Sequence, residues 1–326
     1  MAHGLVLVTD SYGQQRAPMF SVQETPWHGL GIICKDAPTI AEGIKMAGLD
    51  WKTELHPLVT AGGLKTDSFA TVNSKSSEVL GVVGSKYQPL HNENAFQWFQ
   101  PLIDSGDVKL ETAGSLHGGK KVWIMGKIGS ETVIKGNDTV EKYILLSNSH
   151  DGSSSIRVGF TPVRVVCQNT LAASHASSES KLIRVRHTIS ADRNLAQLRG
   201  IMNLANATFE ASVEKYRELA SRQINRKDLE MYVKVVMGQG NVADEDISTR
   251  ARNQIDEVLR CFEQGKGQQM KETKHTWWTA YNAVTEYLSY SASANDNARY
   301  DSLWFGANKS KSESALDLAL FMSKAA

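Results

Sequence analysis

The distribution of proline along the chain constrains its fold more than any other feature. All seven prolines lie at or before Pro162, and the second half of the chain contains none. Proline interrupts helix interiors and is tolerated in turns and at sheet edges. The asymmetry therefore predicts two architectures in one chain: a half with strands and turns, followed by a helical half.

The first half alternates short apolar runs with turn residues, as antiparallel hairpins do. In the clearest case, residues 143–160, two apolar runs flank the polar turn 150–154. Short connections between strands favour antiparallel pairing. Further strands are predicted over 51–59, 68–73, 79–83, 108–113 and 121–128. Helices are predicted over 40–47 with Thr39 as the cap, over 92–103, and over 163–174 directly after Pro162.

The second half shows the periodicity of amphipathic helices. Apolar residues recur with a period close to 3.6 over 191–223. Further helices are predicted over 229–237, 247–262, 276–290 and 314–322, with irregular segments over 264–274 and 295–311. The predicted fold class is α+β: an antiparallel sheet with packed helices, then a mostly helical half. We place the domains at 1–188, the α+β sheet domain, and 189–326, the helical domain.

Composition limits the compartment and the partners. The chain has 326 residues and a formal net charge of +1, so only a local patch could bind a polyanion. Its three cysteines are far apart and form no C-x-x-C pair, which indicates a reducing environment. We see no secretory leader and no run of about 18 apolar residues. The expected location is the cytoplasm of a bacterial host cell, without membrane contact.

A local excess of basic residues gives the best candidate for a binding site. Residues 157–199 contain seven lysines and arginines against two acidic residues. Such a patch can neutralise phosphates, which dominate nucleic-acid affinity. The predicted nucleic-acid-binding residues are Lys120, Lys121, Arg157, Arg164, Lys181, Arg184 and Arg186.

Each of these residues also has a purely structural explanation. The basic segment could be a solvated linker, and lysines in the turn 118–121 could protect a sheet edge from aggregation. Arg157 and Arg164 lie among apolar neighbours and could be buried against carboxylates. All of these alternatives stay open at the level of sequence.

Late in the chain, aromatic residues cluster. Such rings can stack on unpaired bases, but the helical spacing of Trp277, Tyr281 and Val284 favours packing in a core or a subunit contact. The set is Trp277, Trp278, Tyr281, Tyr287, Tyr290, Tyr300, Trp304 and Phe305.

Known enzyme motifs are absent from the sequence. It contains no H-E-x-x-H, G-x-S-x-G, G-x-G-x-x-G or P-loop, and its histidines lack metal-ligand spacing. Cys167 near His150 or His175 could imitate a nucleophile and base, although its apolar neighbours favour a buried helix face. His150 and Asp151 precede a glycine, which is typical of a turn. We predict no catalytic residue, no metal and no cofactor.

Three stretches together resemble one family. They are TPWHGLG at 25–31, SHDG at 149–152 with PVRVVCQNT at 162–170, and WTAYNAVTEY at 278–287. The chain resembles, over nearly its whole length, the phage/plasmid-like proteins built on domain of unknown function number 932. The resemblance implies a mobile-element origin, which fits DNA replication, recombination or evasion of host defence, and it transfers no catalytic residue.

The predicted order of elements is also similar to that of phage single-strand annealing proteins such as Redβ, RecT and Erf. The shared pattern is a short helix, antiparallel strands, a helix, then a basic hairpin and helix. It implies a protein that binds single-stranded DNA and promotes annealing and recombination as a homo-oligomeric ring or filament. Two alternatives remain: a non-enzymatic module that binds a host factor or defence protein, and an unrecognised nucleic-acid enzyme using His150 and Asp151.

Overall fold

The computed structural model describes residues 8–9, 15–16, 19–22, 31–97, 99–153, 157–164, 169–170, 183–184, 191–292, 302–303 and 306–325. Its strands are β1 Val8–Thr9, β2 Gln15–Arg16, β3 Met19–Val22, β4 Ile32–Cys34, β5 Thr53–Val59, β6 Lys65–Asn73, β7 Val79–Gly84, β8 Val108–Leu116, β9 Lys121–Lys135, β10 Asp138–Ser149, β11 Arg157–Arg164, β12 Asn169–Thr170 and β13 Ile183–Arg184. Its α-helices are α1 Ile40–Met46, α2 Asn92–Gln97, α3 Gln100–Asp104, α4 Ala191–Ser221, α5 Arg226–Val236, α6 Thr249–Gln264, α7 Trp277–Glu286 and α8 Ala307–Ala325. A π-helical turn, Tyr287–Ser291, continues α7.

The strands build one large and one small sheet. The large sheet has eight strands in the order β12-β11-β10-β9-β8-β3-β4, with β13 also pairing with β11. Its pairs are antiparallel except β3 with β4. Strands β5, β6 and β7 form a separate antiparallel sheet. The predicted α+β class is therefore confirmed.

The two faces of the large sheet belong to two hydrophobic cores, because successive side chains of a strand point to opposite faces. On β10, Ile144 and Leu146 pack in the core that includes Phe96 and Phe99 beside the short helices. Leu145, between them, packs with Trp123 and the long helices of the second half. The large sheet thus lies between two helical layers.

The late aromatic residues form the centre of the helical core. Trp277, Trp278 and Tyr281 are fully buried. The Trp278 ring lies 5.0 Å from that of Tyr216, and Trp277 meets Tyr232 edge-on at 5.7 Å. Packing is thus confirmed for these residues. Tyr300, Trp304 and Phe305 lie outside the described residues.

A buried carboxylate joins the sheet to the helices. Asp138, at the start of β10, is fully buried. Its Oδ2 accepts hydrogen bonds from Trp278 Nε1 at 2.9 Å and from the Thr273 hydroxyl at 3.2 Å. Buried polar groups require such partners, so Asp138 fixes the β9–β10 hairpin against α7. The domain boundary at residue 188 stays a prediction.

Some predicted helices differ from the structure. The helix predicted over 92–103 is divided into α2 and α3, because Pro101 lacks the N–H that a continuous helix needs. The helix predicted over 163–174 is wrong in its described part. Val163 and Arg164 end β11, and Asn169–Thr170 forms β12. Valine and threonine favour strands. Val163 and Arg164 pair with β10 on one side and with Asn169–Thr170 on the other. The irregular segment predicted over 295–311 is also too long, since α8 begins at Ala307.

No helix in the described part of the chain has the length and apolar character of a membrane span.

Candidate nucleic-acid interface

Strand register brings four of the predicted binding residues to one end of the large sheet. Lys121 begins β9 and pairs with Ser149, the last residue of β10. Arg157 begins β11 and pairs with Ser147 on one side and with Arg184 on the other. Strands lie about 4.8 Å apart and rise about 3.3 Å per residue, so Lys121 and Arg157 are roughly 12 Å apart. We call the positions Lys120, Lys121, Ser149, Arg157 and Arg184 the sheet end.

The other predicted binding residues do not join this group. Arg164 is the last residue of β11, seven residues from Arg157, and pairs with Val140 and Asn169. At about 3.3 Å per residue, it lies roughly 23 Å from Arg157, at the opposite end of the sheet. Lys181 and Arg186 lie outside the described residues.

The β8–β9 turn presents Lys120 to solvent. His117, Gly118 and Gly119 all adopt positive φ, at 54°, 69° and 90°. A side chain at Gly119 would lie 3.2 Å from the buried ring of Trp51, so only glycine fits both the backbone and the space there. Lys120 is exposed, and its carbonyl accepts a hydrogen bond from the backbone N–H of His150 at 2.8 Å. The turn is therefore fixed in place while its lysine is accessible.

Lys121 has an acidic neighbour in the β10–β11 turn. Burial acts to raise the pKa of Asp151, but hydrogen bonds from Ser149 and Ser153 and the charge of Lys121 lower it below its ordinary value. The Ser153 backbone N–H donates to Asp151 Oδ1 at 2.8 Å. Asp151 is therefore ionised near neutral pH and partly neutralises Lys121. Of the two lysines, Lys120 is exposed and Lys121 is half-buried.

His150 is a fully buried part of the scaffold. Asn92 Nδ2 donates to the Leu49 carbonyl at 2.9 Å, so its Oδ1 faces His150 Nε2 at 2.7 Å. His150 therefore carries its proton on Nε2, and Nδ1 accepts from the Thr53 hydroxyl at 2.8 Å. The Trp51 ring lies 4.9 Å away. With both nitrogens occupied inside the protein, His150 is held as a neutral structural group.

The surroundings of His150 account for its protonation state. Burial, with a smaller contribution from the charge of His91, lowers its pKa to about 4, and the charge of Asp151 opposes this shift only in part. The hypothesis that paired His150 with Asp151 as an enzyme site has no geometric support, because the imidazole faces Thr53 and Asn92. In the described part of the chain, no group of three or more His, Cys, Asp or Glu residues is arranged to hold a metal ion.

No sequence pattern indicated that the small sheet would pack against the sheet end. A Cβ atom added at Gly81 in β7 would lie 2.5 Å from the Asp151 Cα, far inside van der Waals contact. The Tyr87 hydroxyl, in the loop after β7, donates to the Ser149 carbonyl at 3.3 Å. Gly81 and Tyr87 carry no local motif that predicts these contacts.

The close approach at Gly81 predicts a specific loss of stability. Because the clash is with backbone, Gly81→Ala should lower the free energy of unfolding by about 1–3 kcal/mol, the usual cost of overpacking. Gly84→Ala, in the same strand, is the matched control, since a Cβ there meets nothing within 4 Å. Urea denaturation followed by circular dichroism measures both, and equal midpoints for the two variants would contradict the contact.

Comparison with protein families finds a match to a domain of unknown function, DUF932, over residues 79–304. The matched region includes strands β8 to β13, which carry the residues of the sheet end, and the helical core up to α7. Comparison with curated proteins and with solved structures gave no match.

Proposed function

We propose that this chain, which belongs to the family with the domain of unknown function DUF932, binds single-stranded DNA at the sheet end and promotes annealing as an oligomer. The observation that carries the proposal is the register of β11 and β13, in which Arg157 is directly opposite Arg184. Both residues were predicted from sequence as phosphate ligands, independently of this pairing.

Two arginines at directly opposed positions on neighbouring strands would be stabilised by a bound anion. Cβ atoms of such pairs are about 4.5–5.5 Å apart, and like charges there destabilise a sheet. A phosphate relieves the repulsion, since guanidinium groups bind its oxygens through paired N–H donors. The exposed Lys120, at the same sheet end, extends the positive surface for a neighbouring phosphate. A chain of phosphates matches this arrangement better than an isolated anion.

The choice of single-stranded DNA rests on the similarity in element order to phage annealing proteins, which is a fold-level analogy. Annealing requires neither a nucleophile nor a bound nucleotide. This agrees with a sheet end whose predicted binding residues are all lysines and arginines. Assembly into a ring or filament is part of the same proposal.

Binding measurements on arginine variants test this function. Arg157→Gln and Arg184→Gln should each weaken binding of a fluorescent oligothymidylate at least about tenfold, through loss of charge-assisted hydrogen bonds. Each should also reduce the slope of log affinity against log salt by about 0.7, the value for one phosphate of a single strand. Lys109→Gln, an exposed lysine near the opposite end of the sheet, is the control. Unchanged affinity in both arginine variants would exclude this site.

The stability of the same variants separates a ligand site from a structural one. Without DNA, Arg184→Gln should retain or slightly raise the free energy of unfolding, by about 0.2–1 kcal/mol, because it removes a like-charge pair. An arginine buried against a carboxylate would instead cost about 3–5 kcal/mol on removal. A loss of that size would make Arg184 a scaffold residue.

A further inference from the structure

We infer that the loop between β7 and α2 supplies the base-contacting part of this site, with Tyr87 as the residue on which an unpaired base stacks. The inference rests on the proposed function and names a contact that the sequence did not indicate. It also accounts for a preference for single strands, whose base faces are accessible.

Hydrogen bonds place Tyr87 beside both lysines of the sheet end. Its hydroxyl donates to the Ser149 carbonyl at 3.3 Å, and Ser149 is the register partner of Lys121. The next residue, His150, donates its backbone N–H to the Lys120 carbonyl. The Tyr87 hydroxyl is therefore bonded to the residue that pairs with Lys121, and the following residue is bonded to Lys120. These two lysines are the positions that would hold phosphates.

The surface around Tyr87 combines an aromatic ring with a cation. Tyr87 is partly exposed, and the preceding Lys86 is exposed. β7 also contacts the β10–β11 turn, where a Cβ at Gly152 would lie 2.9 Å from Val83. A single strand is bound through this combination, because its phosphates interact with cations and its bases stack on flat apolar faces.

The hydrogen bond of the Tyr87 hydroxyl restricts the rotation of the ring before a base binds. Restricting a side chain in its bound conformation reduces the entropy lost on binding. Burial and the nearby charge of Asp151 raise the pKa of Tyr87, so the ring remains an uncharged phenol at neutral pH. A neutral ring does not repel the phosphates on either side of a stacked base.

Two variants and two strands test the stacking contact. Tyr87→Ser removes the ring and should weaken binding of a fluorescent oligothymidylate by about 5- to 150-fold, the range for loss of one base–aromatic stack. Its affinity for an abasic strand of equal length should not change. Tyr87→Phe keeps the ring and should bind oligothymidylate nearly as tightly as wild type. Thermal unfolding of each variant confirms that the protein remains folded.

Crosslinking to the unaltered protein covers the case in which Tyr87→Ser fails to fold. A single strand carrying halogenated uracil, irradiated in complex with wild type, should form an adduct on the peptide containing Tyr87. Adducts confined to other peptides would overturn the inference.

The outcomes distinguish the inference from the proposed function. If Tyr87→Ser binds both strands like wild type while the arginine variants bind both weakly, Tyr87 is not the base contact and the phosphate site stands. If wild type binds neither strand at low salt, the proposed function fails and the inference fails with it.

Discussion

Replacing Trp278 with alanine should lower the free energy of unfolding by about 3–5 kcal/mol, the cost of a large cavity in a packed core. The indole is fully buried between the helices and the sheet and lies 5.0 Å from the Tyr216 ring. Its Nε1 also donates to the buried carboxylate of Asp138. Loss of that donor adds a further penalty of about 1–3 kcal/mol, because a buried acceptor loses a partner.

Urea denaturation with a phenylalanine variant separates these two contributions. Trp278→Phe keeps most of the ring but removes the N–H, so it should show mainly the hydrogen-bond loss. Phe321→Ala is the matched control, since that ring has 72% of its surface exposed and surface changes are usually within about 0.5 kcal/mol. The prediction is wrong if Trp278→Ala is no less stable than Phe321→Ala.

Acidification should destabilise the fold through His150. In the unfolded chain a histidine has a pKa of about 6.5, whereas burial lowers the pKa of His150 in the folded protein to about 4. Between these values the unfolded state binds more protons, so stability rises with pH across this range. The contribution is fully present above pH 6.5 and is lost as pH falls toward 4, a change of about 3 kcal/mol.

The difference between wild type and His150→Gln isolates this titration. Urea midpoints measured between pH 4 and 7 should change less steeply in His150→Gln than in wild type. Carboxylates titrate in both proteins, so their contribution cancels in the comparison. Parallel profiles for wild type and His150→Gln would show that His150 is not held neutral in the folded state.

Sequence patterns predicted correctly those elements that form through contacts between residues close together in the chain. The hairpin over 143–160 is found as β10 and β11, since alternation of apolar residues and a polar turn specify it without distant contacts. Helix α1 is found where Thr39 predicted its start, and Thr39 and Glu42 form a capping box there. Within the predicted helix 163–174, residues 163–164 and 169–170 were assigned wrongly because a short apolar run fits a helix or a strand equally well. Pairing of residues 163–164 with β10 and of residues 169–170 with β11 decided the outcome.

The geometry of the candidate site depends on pairings between distant parts of the chain. Basic residues could be found by composition, but the opposition of Arg157 and Arg184 is set by the register of β11 and β13. The turn assignment of His150 was reasonable from the neighbouring glycine. Its burial depends on Trp51, Thr53 and Asn92, which come from other elements, and no local pattern indicates that they meet.

Titration of wild-type protein with fluorescent single-stranded and double-stranded oligonucleotides at two salt concentrations tests the central claim most directly. We predict tighter binding of the single strand, weakened by salt with a slope of about −0.7 for each phosphate contacted, by a protein whose mass in solution exceeds that of one chain. Absence of single-strand binding at low salt would contradict the account. A search for a protein partner would then take its place.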